Sequence, residues 1–322
     1  MDAPVLVLGT AQLGLPHYGR TNQTGRLPHA AAVDLVRQAV ANGVQVFDTA
    51  RAYGAAEQVL GEALADRSPC PQVVTKLDPL LELTAAASTA AVREAVDRSL
   101  AESCHTLRCA CLPVVLLHRW SHRRDWSGAV WNRLRERQQE GVIGALGASV
   151  YSPAEAAEAL ADSTVRHLQI PFNLLDGRWL AAGIDQLVRG RPDVTVHARS
   201  LFLQGLLLNA ASFWPPIAEV PAVELGRRLD YWVERLGRKD RMDLCLAFGR
   251  AQSWLGGLVL GVDTADQLAE LVACFRHDGL SGDQVQAIQA EFAGLPETLL
   301  NPSLWPSPPA RASVVVNESP VR

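Results

Sequence analysis

Eight times along this chain a short apolar run is followed by a longer stretch with helical spacing. The runs are Val5 to Leu8, Val44 to Asp48, Val73 to Lys76, Leu112 to His118, Val142 to Gly147, His167 to Ile170, Val194 to Ala198 and Gly257 to Leu260. Each has strand length and is bounded by turn residues. A helix between two strands returns the chain to the same end of the sheet, so consecutive strands pair in parallel. Eight such units predict a single-domain α/β fold, a (β/α)8 barrel, in which the strand C-termini share one mouth. A length of 322 residues suits that fold, and 48% hydrophobic content is enough to fill its core. We assign residues 1–300 to the barrel. Residues 301–322, rich in Pro and Ser, are expected to form an extended or disordered tail.

Helix punctuation agrees with this reading. Gly43 follows Asn42 at the end of a helix over 30–42, and Ser152 with Pro153 opens the helix after the fifth strand. Further helices are expected over 56–65, 88–103, 128–139, 180–189, 221–236, 241–251, 264–274 and 281–292, while GTAQLGLPHYG (9–19) reads as a loop.

Composition narrows the function. A net charge of −4 leaves no basic footprint for nucleic acid. No apolar run nears the roughly 20 residues of a membrane span, and MDAPVLVLGT has no basic region or cleavage site of a signal peptide. Six cysteines without a CxxC pair predict free thiols, no metal site and a cytoplasmic location. A small molecule is the expected partner, with a monomer and a homo-oligomer both left open.

Chemistry-bearing residues gather at the strand ends. VFD finishes in Asp48, VVTK in Lys76 and VVLLH in His118, and Tyr53 follows Asp48 on a short loop. Taken singly, Asp48 and Tyr53 read as a helix N-cap and a loop aromatic. Charged groups are rarely buried without partners, however, and three successive strands ending this way point to a shared site. Ser149, Gln169 and Arg199 fall at the ends of strands five, six and seven.

These residues resemble the aldo-keto reductase superfamily, whose tetrad is Asp, Tyr, Lys and His in this order. The pattern FDTAxxYGxxExxLGxAL fits residues 47–64, and the resemblance runs from about Leu8 to about Leu271. It implies an oxidoreductase that reduces an aldehyde or ketone, with sugars and other polar carbonyls among the candidates, using NAD(P)H. Tyr53 would be the general acid. Lys76 would lower the phenol's pKa, Asp48 would anchor Lys76, and His118 would orient the carbonyl. A cofactor-binding regulatory protein and a redox-neutral lyase or epimerase are the alternatives on the same barrel.

The resemblance also implies a nicotinamide dinucleotide held by Gly9, Thr10, Asp48, Ser149, Gln169, Arg199, Ser200, Leu201, Gln204, Gly205, Gly261, Asp263 and Gln267. Three positions depart from the family pattern. Val150 replaces the Asn of a Ser-Asn pair, leaving Ser149 with Gln169 and Asn173 from QIPFN. Arg199 stands where an aromatic often stacks on the nicotinamide, and its planar guanidinium can also stack. At the adenine end, LGVDTADQLAEL carries no Lys or Arg. NADP(H) is the family expectation, but Asp263 would repel a 2′-phosphate and could accept from ribose hydroxyls, which leans toward NAD(H).

For the substrate we single out Tyr18, Tyr53, His118, Arg119 and Trp120. His17 and Tyr18 either line a pocket or are simply exposed. The loop RWSHRRDW, with Arg123, Arg124 and Trp126, suggests an anionic or polyhydroxylated substrate, or is a solvated loop. Trp214 could close over the site.

Overall fold

The computed structural model describes residues 3–16, 27–65, 67–217 and 220–306. Its strands are β1 (Val5–Gly9), β2 (Val46–Asp48), β3 (Gln72–Lys76), β4 (Leu112–Leu117), β5 (Ile143–Ser149), β6 (His167–Pro171), β7 (Thr195–Arg199) and β8 (Gly257–Gly261). Each pairs in parallel with the next, and β8 returns to β1, closing the barrel. The helices are α1 (Ala11–Gly14), α2 (His29–Ala41), α3 (Ala56–Leu64), α4 (Thr89–Leu107), α5 (Ala129–Gln139), α6 (Pro153–Ala161), α7 (Arg178–Ala181), α8 (Ile184–Arg189), α9 (Ala222–Arg235), α10 (Arg241–Arg250), α11 (Ala265–Phe275), α12 (Gly282–Glu291) and α13 (Glu297–Leu300).

Two hydrophobic regions follow from the alternation of side chains along a strand. Phe47, Val73, Val115 and Leu117 point outward and join the large core under the helices. Val74, Val114 and Leu116 point inward, with Val46 and Ala145 against them. Asp48, Lys76 and His118 lie two residues beyond Val46, Val74 and Leu116, so they inherit the inward face at the open end. The register staggers around the barrel, pairing Asp48 with Val74 and Lys76 with Leu116. Strand tilt in a closed barrel brings such staggered ends to one mouth. Below it, the buried rings of His167 and His197 meet edge to face at 4.3 Å.

Several boundaries differ from the sequence reading. A short helix, α1, occupies the stretch read as loop. The helix expected over 180–189 is two pieces, α7 and α8, broken at Gly183, whose φ of 70° no continuing helix adopts. Helix α4 runs on to Leu107 and ends at Arg108 in the left-handed region. There Cys109 N–H bonds the Cys104 carbonyl and Arg108 N–H bonds that of His105. The expected tail begins inside the folded structure: Pro302–Leu304 form a 3-10 turn and the Trp305 indole donates to the Leu299 carbonyl. Residues 307–322, like His17 and Tyr18, lie outside the described residues. The six cysteines are free. Among the described residues no helix is long and apolar enough to cross a membrane, and no cluster of ligand side chains could hold a metal.

Candidate active site

Lys76 and Asp48 form the floor of the mouth, with 1% and 4% of their surfaces exposed. Lys76 Nζ donates to both Asp48 carboxylate oxygens at 2.8 Å and to the Thr49 carbonyl at 2.9 Å. All three ammonium hydrogens are thereby satisfied. A buried ion pair is tolerable only when its polar atoms are bonded in this way. Gln169 Nε2 donates to Asp48 Oδ2 at 2.6 Å, while Gln169 Oε1 accepts from Ser149 Oγ at 3.3 Å. Ser149, Gln169, Asp48 and Lys76 therefore form one chain across four strands.

Tyr53 stands over this floor. Its ring centroid is 5.1 Å from Lys76 Nζ, and the His118 ring meets it edge-on at 6.1 Å and 88°. The loop that carries it is tightly seated. Tyr53 N–H donates to the Ala50 carbonyl at 2.9 Å, and Gly54 takes φ +57°. Gly14 of α1 lies so close that a Cβ there would overlap the Tyr53 carbonyl oxygen.

The surroundings fix the charge states. Burial, and then the charge of Asp48, push the Tyr53 phenol above its ordinary value, with Arg199 opposing. Lys76, expected from sequence to favour the tyrosinate, is itself bonded to Asp48. Burial pushes His118 down to about 3, helped by the charges of Lys76, Arg199 and Arg119. At neutral pH the mouth therefore presents a protonated phenol and a neutral imidazole, and the imidazole Nδ1 is buried without a partner.

Two adjoining cavities open here, sharing Tyr53, Arg199, Ser200 and Gln204. The inner one, about 320 Å³, is lined also by Lys76, His118, Ser149 and Gln169. The other, about 230 Å³, runs from Asp48 past Gly9, Thr10, Leu201 and Gly205 to Gly261, Asp263 and Gln267. The predicted cofactor residues thus all border one cavity or the other. Gly9 and Gly261 are register partners across β1 and β8, so two neighbouring strand ends carry no side chain. A Cβ at Gly261 would overlap the Gln12 amide. This bare groove leads from the phenol to Asp263.

Other expected residues lie elsewhere. Arg119 is exposed and lines neither cavity. Trp120 is buried against Trp131, with its indole N–H on Glu158 at 2.8 Å. Arg123 pairs with Asp162, Arg124 with Glu158, and the Trp126 indole donates to the Thr84 carbonyl. That loop therefore ties to α6 and to its own surroundings. Asn173 Oδ1 accepts from Leu175 N–H, a local turn, and Trp214 is buried away from both cavities. Sequence reading missed Gln12, Tyr151, Arg178, Asn301 and Ser303 as cavity walls. Tyr151 and Arg178 sit just past strand-end segments already singled out. Asn301 and Ser303 were hidden by a tail-like composition.

A sequence model of the Aldo/keto reductase family matches residues 5–291. An uncharacterized oxidoreductase of Mycobacterium tuberculosis is 33% identical over 171 residues, which is 52% of this chain and 49% of the relative. The chain thus spans about half the length of the mycobacterial relatives it matches. A further uncharacterized oxidoreductase, YqkF of Bacillus subtilis, is 23% identical over a 312-residue alignment covering 88% of this chain and 94% of the relative. Among solved structures, the holo form of an aldo-keto reductase from Bacillus halodurans superposes with a TM-score of 0.69 at 21% identity, covering 88% of this chain and 91% of its own. The glycerol dehydrogenase of Gluconobacter oxydans gives 0.69 at 20%, covering 92% and 95%. Both are alike in fold.

Proposed function

The chain belongs to the aldo/keto reductase family, and from that premise we propose that it is an NAD(P)H-dependent oxidoreductase reducing a small polar aldehyde or ketone to the alcohol. The observation that carries this reading is the meeting of Tyr53, His118 and the Lys76–Asp48 pair at one cavity. A protein that only bound a dinucleotide would have no use for a buried ammonium under a phenol.

The cavity residues divide the work. Tyr53 is the general acid. Burial and the charge of Asp48 keep its proton in place until negative charge grows on the carbonyl oxygen, and the phenol then releases it to that atom. Lys76, held 5.1 Å from the ring centroid, stabilises the tyrosinate left behind. Asp48 and Thr49 fix the ammonium in place. Neutral His118 donates one ring hydrogen to the carbonyl oxygen and orients it. A bound nicotinamide dinucleotide supplies the hydride. Gly9, Thr10, Gly261, Asp263 and Gln267 would hold its length, and Ser149 with Gln169 its carboxamide.

The test is a carbonyl panel. Purified protein is mixed with NADPH or NADH and a set of aldehydes and keto-sugars, and cofactor absorbance is followed. Wild type oxidises cofactor with at least one carbonyl. Tyr53→Phe loses roughly 10²–10⁴-fold in turnover while its cofactor dissociation constant is retained. A Tyr53→Phe protein with undiminished turnover would contradict the assignment of the acid.

A further inference from the structure

We infer that the inner cavity takes a carbonyl substrate carrying an anionic group, carboxylate or phosphate, and that Arg199 grips that group. The inference rests on the proposed carbonyl reduction and names its substrate class.

The argument begins with cations. Among the described residues three line this cavity, Lys76, Arg178 and Arg199, and none of its described lining residues is Asp or Glu. Lys76 is matched by Asp48, and Arg178 by Asp176 and Glu297. Among the described residues the hydrogen bonds of the Arg199 guanidinium are long, to Ser200 Oγ and to the Val150 carbonyl, both at 3.4 Å. Among the described residues no carboxylate pairs with it. Arg51 and Arg133, also partly buried, each hold an acid within 3 Å, and Arg250, which among the described residues pairs with none, donates to the His277 carbonyl. A cation withdrawn from water without a counter-charge is unfavourable. An arginine offers five N–H donors in a rigid fork suited to carboxylate and phosphate oxygens.

Its position is built in. One face of the guanidinium stacks on Tyr151 at 4.6 Å, and Tyr151 borders the inner cavity and not the outer one. The Arg199 guanidinium is thus held at the wall the two cavities share, with Tyr53 on the same wall. The chain directly after Arg199 is strained, with Ser200 at φ 63°, Leu203 at 47° and Gln204 at 54°. Strain of this kind in residues other than glycine gathers where geometry serves binding. Ser200 and Gln204 line the same wall, and the apolar side chains of Pro171, Leu300 and Pro302 stand in this cavity with the rings of Tyr53 and Tyr151.

The experiment compares carbonyls matched in everything but charge. The carboxylate arm sets 4-oxobutanoate against butanal, and the phosphate arm sets glyceraldehyde 3-phosphate against glyceraldehyde. In wild type, kcat/KM favours the anionic member of at least one pair by roughly 10- to 100-fold, the factor expected of a charge-assisted bond. Arg199→Met brings that ratio near one, mainly through KM, and Arg199→Lys restores part of it. Cofactor dissociation constants of the variants, measured by fluorescence, confirm that they fold. No preference in either wild-type pair overturns the inference. So does a ratio that survives Arg199→Met, or an Arg199→Met protein whose only loss is in cofactor affinity, since Arg199 would then serve the cofactor's phosphates. Calorimetry with the unreactive succinate and inorganic phosphate separates this from failure of the proposed reaction. Arg199-dependent binding without turnover of any pair would leave the anion site standing and remove the reductase reading.

Discussion

Tyr53 and Lys76 act through a third residue, Asp48, which never meets the substrate in this account. Asp48 accepts from Lys76 and Gln169, so replacing it by Asn leaves a buried ammonium without a counter-ion. Asp48→Asn should cost about 3–5 kcal/mol, read by urea denaturation, together with most of the turnover. Adding Lys76→Met should recover part of the stability but none of the activity, because the surviving partner is then no longer charged. At the far end of the outer cavity, burial pushes the Asp263 carboxyl up, and the only cation among the described lining residues is Arg199, beside Tyr53. NADH should therefore bind more tightly than NADPH, and Asp263→Ser should narrow the gap. A strong NADPH preference in titrations of both cofactors would remove Asp263 as the discriminator. Residues at strand ends were legible because the chain repeats one arrangement at every strand. Arg119 and Trp120 were misplaced because a basic, aromatic loop does not say which way it faces. Here Glu158 of α6 and Asp162 just after that helix took its charges.

Among elements, the loop carrying the phenol is shaped by α1, a helix the glycine-rich sequence concealed. Gly14 and Gly54 touch backbone to backbone, and neither has room for a side chain. Gly14→Ala should displace the Tyr53 loop and lower kcat at least 10-fold, as small misplacements of reacting groups do, although Gly14 lines neither cavity. Wild-type kcat in a folded Gly14→Ala protein would show that the loop is not held from this side. A second tie is Glu57, buried in α3, which accepts from Thr75, Ser103 and Thr106 and pairs with Arg51. It joins α3 to β3 and α4 directly behind Lys76. That an acid in a helix's first turn binds a neighbouring strand could not be read from its local sequence.

Across the whole molecule, the alternation of strand and helix was enough to specify the barrel, since the period of each element is set locally. The cavities were less legible because they join residues from the two ends of the chain, Gly9 with Gly261 and Tyr53 with Ser303. The barrel interior also sets how the protein responds to acid. Burial pushes His118 to about 3 and His197 to about 4, and holds His167 well below its ordinary value. Each binds a proton more readily unfolded than folded. Stability is therefore undiminished above pH 6.5 and falls as pH drops through the window down to about 4. The slope should approach roughly 1.4 kcal/mol per pH unit for each histidine. Urea midpoints between pH 7 and 4.5 measure it, and His197→Gln should flatten the curve. A flat wild-type profile would mean that the imidazoles are hydrated inside the barrel.

The central claim is that this mouth transfers hydride to a carbonyl while Tyr53 provides the proton. It is tested most directly by single-turnover reaction with reduced cofactor carrying deuterium at both nicotinamide C4 positions, followed by mass analysis of the alcohol. Deuterium on the former carbonyl carbon in wild type, with labelling slowed roughly 10²–10⁴-fold in Tyr53→Phe with cofactor bound, is the predicted result. Product without deuterium, or equally fast labelling by the Tyr53→Phe protein, would contradict it.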